Sequence, residues 1–247
     1  PRSFRQDNNC QNLNVWTPGI GDGGKRPVMV WLHGGGFSTG ASAMEEVYDG
    51  ANLARRGDVV VVSVNHRLNL VGHLDLSRFG GKYKRSANVG VMDLVDALRW
   101  IRDNIAPFGG DPENVTIFGE SGGGAKVLAL MTTPEAKGLF KRGIVESGAT
   151  ERMGVVFTSR EVSERITDHF LEALGVGSGD VETLQTLPYE ELVRASDRAL
   201  ARTAEEKKLP APLGGGYGLY WEPVVDGDFL PTSPVTKDGF AAAGKDV

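Results

Sequence analysis

Apolar positions along this chain follow two rhythms. Short, mainly apolar runs that read as strands come at residues 13–16, 28–32, 59–65, 115–118 and 143–148, each stopped by glycine, proline or a polar cluster. The run at 59–65 is β-branched and continuous, the pattern of a strand covered on both faces, and 143–148 reads as a further short buried strand. Between the runs the period lengthens. Leu94, Leu98, Ile101 and Ile105 recur at spacings of four, three and four, which predicts a helix over 89–105, ended by Pro107, Gly109, Gly110 and Pro112. Val162, Ile166, Phe170 and Leu174 mark a second helix, opened by Thr158 with Glu161 as a capping box and closed by Gly175. A third follows Pro188 with Leu192, Val193 and Ala195, and shorter helices fit 51–56 and 123–131. Residues 19–26, 68–87 and 214–216 read as loops, and 221–230 as a strand and turn. Strands alternating with helices predict a single α/β domain over 1–247, with a mainly parallel sheet and helices on both faces.

Composition narrows the function without naming it. The 247 residues are 40% hydrophobic and 24% charged, ordinary for a globular chain able to bury a large core. The net charge of −5 comes with dispersed basic residues, so no nucleic-acid surface is expected. The basic cluster Lys82, Lys84 and Arg85 is read as solvated surface. No apolar run approaches the roughly 20 residues of a membrane span. The single cysteine, Cys10, excludes an internal disulfide, and no metal or cofactor is expected. Localisation leans cytoplasmic, with secretion as the alternative.

Two of the apolar runs end in glycines that carry chemistry. Residues 115–118 stop at Gly119-Glu120-Ser121-Gly122-Gly123, a G-x-S-x-G between strand and helix. That is the context of a nucleophile elbow, where a strained turn lifts a serine hydroxyl clear of the sheet and aims the Gly122 N–H at the substrate oxygen. Residues 28–32 run into His33-Gly34-Gly35-Gly36, whose unobstructed amides suit an oxyanion hole. One such motif is weak evidence, because glycine and serine are common. Two, in this order, form a strong combined signal.

With these residues in view, the chain resembles the type-B carboxylesterase family of the α/β-hydrolase fold, over essentially its whole length and as an N-terminal portion. The resemblance rests on the segment 10–18 with Cys10, on Asn65, Arg67 and Leu68, on Asn88, Gly90 and Asp93, on 108–123, and on 223–227. His66 stands where the family has tyrosine, Gly122 where it has alanine, and Asn8 and Asn9 replace an acidic pair. The resemblance implies Ser121 as nucleophile, with an oxyanion hole from the amides of Gly35, Gly36 and Gly122. It also implies a triad acid and histidine beyond this stretch, so a complementing C-terminal segment or second chain is the expected partner. The substrate class it implies is a small-molecule carboxylic ester.

The remaining candidates are weighed against blander roles. Glu120 reads as a buried ion-pair or hydrogen-bond partner, not the triad acid. His33 reads as a loop support, and His66 and His73 precede the serine, out of order for this fold. His169 is the only histidine after Ser121 and sits beside an apolar stripe, where packing is the simpler role. Ser147 lacks a G-x-S-x-G frame. Tyr217, Tyr220 and Trp221 fit either a pocket wall or the core. Two other functions stay open: a catalytically silent cholinesterase-like binding or adhesion protein, and an esterase of the hormone-sensitive-lipase type.

Overall fold

The structure is a computed structural model that describes residues 7, 9–149, 157–209, 218–236 and 239–240. Tyr217 and the 214–216 loop lie outside the described residues.

Five strands form one sheet: β1 (Leu13–Trp16), β2 (Arg26–Leu32), β3 (Val60–Val64), β4 (Gly110–Glu120) and β5 (Arg142–Glu146), in spatial order β1-β3-β2-β4-β5. β1 runs antiparallel to β3, and every other pair is parallel. Among the described residues, six α-helices accompany them: α1 (Ala51–Gly57), α2 (Asn69–His73), α3 (Val89–Asn104), α4 (Gly122–Thr132), α5 (Arg160–Leu174) and α6 (Tyr189–Glu206).

Strand parity divides the helices between the two faces. Val28, Val30 and Leu32 of β2 join Val91, Leu94, Leu98 and Ile101 of α3 and Val127 and Leu130 of α4 in the main core. Met29 and Val61 point the other way, to Ala54 of α1 and Trp16. Successive side chains on a strand face opposite sides, so α1 covers one face and α3 with α4 the other. Each fully buried aliphatic side chain contributes about 1.5–3 kcal/mol, which makes this layer the main source of stability. α5 and α6 form a satellite core in which Ile166 and Phe170 meet Ala195, Ala199 and Trp221.

Several local expectations need correction. The α5 N-cap is Ser159, whose hydroxyl accepts from Val162 N at 3.4 Å, while Glu161 pairs with Lys207 at 2.6 Å. Thr158 is taken up one step earlier in a short parallel pairing with Val224. β5 is not buried: it is an edge strand, and Ile144 is 43% exposed because nothing described packs over it. The 68–87 segment holds α2 and short 3₁₀ turns. Its basic cluster lies on the surface as expected and is paired there: Lys82 meets Glu182 at 2.6 Å, Lys84 meets Asp228 at 3.4 Å, and Arg85 bridges Glu135 and Asp228.

Two polar devices tie the ends of the core together. The Asp93 carboxylate accepts from Arg67 Nε, Nη2 and backbone N, and from Gln11 Nε2. Asn88, fully buried, donates to Val224 O and accepts from Val224 N, both at 2.9 Å, so its amide imitates a neighbouring strand.

Candidate active site

The parallel register of β2 and β4 sets Leu32 opposite Gly119, so both glycine motifs leave the sheet side by side at its carboxyl end. Ser121 then takes φ 56° and ψ −120°, a left-handed backbone that a non-glycine residue adopts only when its surroundings enforce it. Those surroundings are close. A Cβ on Gly123 would fall 2.0 Å from Leu32 O, and one on Gly119 would fall 2.5 Å from the Gly123 backbone. Ser121 N donates to Glu146 O at 2.8 Å, and Ser121 O accepts from Ala125 N at 3.2 Å. The elbow is thereby fixed between β5 and the first turn of α4.

The H-G-G-G loop lies directly against it. A Cβ on Gly34 would sit 3.7 Å from Ser121 Cβ, and one on Gly122 would sit 2.3 Å from Gly36 N. Gly35 and Gly36 have φ of 87° and 61°. The structure therefore brings Ser121, Gly35, Gly36 and Gly122 to one place.

His33 opens the H-G-G-G loop itself, and the His66 ring stacks on its ring at 5.3 Å. His33, His66 and His73 are buried, and each donates from Nδ1 to a backbone carbonyl, those of Gly34 (2.8 Å), Arg67 (3.0 Å) and Ala87 (3.0 Å). Their Nε2 atoms have no partner among the described residues. Burial lowers His33 to about 3 and His73 to about 4, and holds His66 well below 6.5, so all three are neutral at neutral pH. His169 is locked between α5 and α6, with Nδ1 2.8 Å from the Thr203 hydroxyl and Nε2 3.3 Å from Glu206. It packs two helices and plays no part in the elbow.

Glu120 differs from expectation. It is exposed and has no ion pair among the described residues, because it ends β4 beyond the last layer of core side chains. Trp221 belongs to the satellite core, donating to Ser196 Oγ at 2.7 Å, whereas Tyr220 is exposed. Ser147 is exposed, with φ 54°. Cys10 is a free thiol, its pKa raised mainly by partial burial.

One residue escaped the sequence reading. Lys126 is fully buried, donates from Nζ to His33 O (2.8 Å) and Gly36 O (2.6 Å), and lies 5.5 Å from the centre of the Phe37 ring. The available signal was a single charged residue inside the small, apolar helix that follows the serine.

Among the described residues, no cluster could hold a metal ion and no helix is long and apolar enough to cross a membrane.

A sheet of this order, with a strained serine at its carboxyl end, defines an α/β-hydrolase. The model of the carboxylesterase family matches residues 1–240, and the chain belongs to that family. It is 41% identical to the para-nitrobenzyl esterase of Bacillus subtilis over 230 residues, 93% of this chain and 43% of that protein. Among solved structures, an esterase of Clostridium hathewayi that can hydrolyse aliphatic aromatic polyesters is 43% identical, with a TM-score of 0.85, covering 100% of this chain and 46% of that one. A Geobacillus stearothermophilus carboxylesterase is also 43% identical, with a TM-score of 0.77 over 91% of this chain and 44% of its own. The chain thus spans less than half the length of these relatives.

Proposed function

We propose that this chain carries the nucleophile and oxyanion half of a serine carboxylester hydrolase. The observation behind this reading is the positive-φ Ser121 seated against the Gly34–Gly36 loop. Ser121 Oγ attacks the ester carbonyl as its proton passes to a histidine base. The carbonyl oxygen becomes an oxyanion held by the amides of Gly35, Gly36 and Gly122. The intermediate collapses, the alcohol leaves with the proton from the imidazolium, and an acyl-Ser121 ester remains. Water, deprotonated by the same base, then releases the carboxylic acid.

The base and its acid come from a complementing segment or second chain. The four histidines of the chain support this reading: burial leaves the imidazoles of His33, His66 and His73 too weakly basic at neutral pH, and His169 lies between α5 and α6 with Nδ1 on the Thr203 hydroxyl. The exposed edge of β5 supports the same reading, since parallel strands are ordinarily covered on both faces.

The test is fluorophosphonate labelling and p-nitrophenyl ester turnover, with the C-terminal portion present. Ser121→Ala is expected to abolish labelling and to lower turnover by about 10⁴ to 10⁶, the range for losing a triad member. Near-normal turnover by that variant would overturn the proposal. An unlabelled wild type would favour the silent binding protein.

A further inference from the structure

Lys126 is among the largest fully buried side chains of the described residues, and it ends in an amine. Burying an ammonium costs several kcal/mol unless it is well paired, and no carboxylate contacts it among the described residues. Its partners are two carbonyl oxygens of the H-G-G-G loop and the face of Phe37. A side chain this costly to bury, aimed at one loop, calls for a role there.

Peptide geometry supplies that role. All described peptide bonds are trans, so within each plane the C=O and the following N–H point in opposite directions. Four planes make up the loop. The Gly34 carbonyl is held by His33 Nδ1 at 2.8 Å, which directs the Gly35 amide the other way. The Gly35 carbonyl accepts from Thr39 N at 3.0 Å and Ser38 N at 3.3 Å, which directs the Gly36 amide. The outer planes, those of the His33 and Gly36 carbonyls, are both held by Lys126 Nζ. Between these anchors the backbone is all glycine, with little torsional preference of its own. The lysine clamps both ends of the stretch whose middle amides, those of Gly35 and Gly36, are the oxyanion donors in the function proposed above.

We propose that Lys126 is a positioning residue for the oxyanion loop: by drawing the His33 and Gly36 carbonyls into the core, it holds the Gly35 and Gly36 amides in the orientation that the tetrahedral intermediate requires. This rests on the reading of Ser121 and those amides given above. Burial lowers the amine from 10.5 to about 7, and a neutral amine still carries two N–H donors for two carbonyls. The neighbouring His33, His66 and His73 are neutral, so no positive charge opposes it at neutral pH.

The experiment uses the polypeptide completed by its C-terminal portion, with active sites counted by fluorophosphonate titration. Lys126→Met keeps the length and removes both donors. Lys126→Gln keeps an NH₂ donor on a shorter arm. Per titrated site, kcat is expected to fall about 10- to 100-fold in Lys126→Met, less in Lys126→Gln, with KM changed less than about twofold, the pattern of an interaction made only in the transition state. The affinity of a trifluoromethyl ketone, which forms a tetrahedral adduct, should fall in parallel. A purely structural lysine would lower the number of titratable sites and leave kcat per site and ketone affinity unchanged, and that result overturns the proposal. If Lys126→Met does not fold, Lys126→Gln decides by the same criteria. Ser121→Ala, run alongside, separates the two readings. Its retention of turnover removes the underlying one, whereas its loss together with unchanged kcat in the lysine variants removes only this inference.

Discussion

Gly122 sits directly beneath Gly36: a Cβ added to Gly122 would fall 2.3 Å from the Gly36 amide nitrogen and 2.6 Å from its carbonyl oxygen. Both atoms are backbone and cannot swing aside as a side-chain tip would. Gly122→Ala must therefore lift the H-G-G-G loop. The helix that starts at Gly122 gains a better helix former from the change, so the fold should survive while oxyanion geometry suffers. Stopped-flow acylation with a p-nitrophenyl ester should show kcat lowered by about tenfold or more and thermal stability little changed. Because Lys126 holds Gly36 down, the same substitution should cost less in a Lys126→Met background, a non-additive pair.

Gly36 itself has φ 61°, and a Cβ there would meet nothing closer than Ser38 N at 3.9 Å. Space is not the constraint; backbone conformation is. A β-branched residue in the left-handed region is an outlier, so Gly36→Val should shift the loop out of that region and misdirect its amides. Loss of one oxyanion donor costs about 3–4 kcal/mol of transition-state stabilisation. Turnover should drop with a smaller change in KM, and the opposite pattern would make this a substrate-binding loop.

The sheet and the elbow were legible because their signals are local. Continuous apolar runs meeting glycines give both the strands and the point where each chain leaves the sheet, as at 28–32 and 115–118. The apolar stripe through Leu94, Leu98 and Ile101 is likewise written in one helix. What sequence alone missed depends on residues far apart in the chain. Asn88 bonds to Val224 across 136 positions, and Lys126 to His33 across 93. The elbow position of Glu120 and the apolar Ile144 and Val145 predict burial, yet burial depends on what lies over the sheet edge. The cap of α5 slipped by one residue because Thr158 and Ser159 are both good caps, and only the pairing with Val224 decides between them.

Lys126 should leave a trace in stability against pH. Its native value is lowered to about 7 from 10.5. Between those values the unfolded chain binds a proton that the native state does not, so stability rises as pH rises through this window. The buried histidines act only below about 6.5, where their lowered native values make stability fall with acidity. Denaturant unfolding at pH 7 and pH 10 should show a rise for the wild type, on the order of a few kcal/mol, that is smaller in Lys126→Met. Equal slopes for the two proteins would mean that the amine keeps its full charge affinity through its two carbonyls.

Asn88 offers a test of how the 223–227 segment is held. Its amide makes two hydrogen bonds to the Val224 backbone and one to Asp226, in a fully buried setting. Asn88→Ala leaves a buried N–H and C=O of Val224 without these partners, at about 1–3 kcal/mol for each. The unfolding free energy should fall by about 2–6 kcal/mol in total, read as a lower denaturation midpoint. Proteolysis should also nick near 223–230 before the α3 region opens. An unchanged midpoint would show that the short pairing of Thr158 with Val224 suffices.

The last prediction concerns the uncovered side of the sheet. Among the described residues β5 pairs with β4 alone, and Ile144 on it is 43% exposed. An exposed strand edge with apolar side chains is a template for adding another strand. At the same time, the function proposed above takes the base for Ser121 from outside this stretch, which leaves the serine here a weak nucleophile at neutral pH. The two facts predict one joint behaviour. Residues 1–247 expressed alone should be prone to association, with ester turnover limited to roughly 10³- to 10⁴-fold over water from the oxyanion amides. Co-expression with a C-terminal carboxylesterase portion should restore a discrete species and turnover of order 10 per second together. Introducing a charge by Ile144→Lys should reduce association of the lone chain by blunting the edge, and should also weaken the complementation. Size-exclusion chromatography with p-nitrophenyl acetate hydrolysis reads both properties on one sample. A lone chain that is monomeric and turns over at an ordinary enzymatic rate would show that a base for Ser121 already resides among these residues.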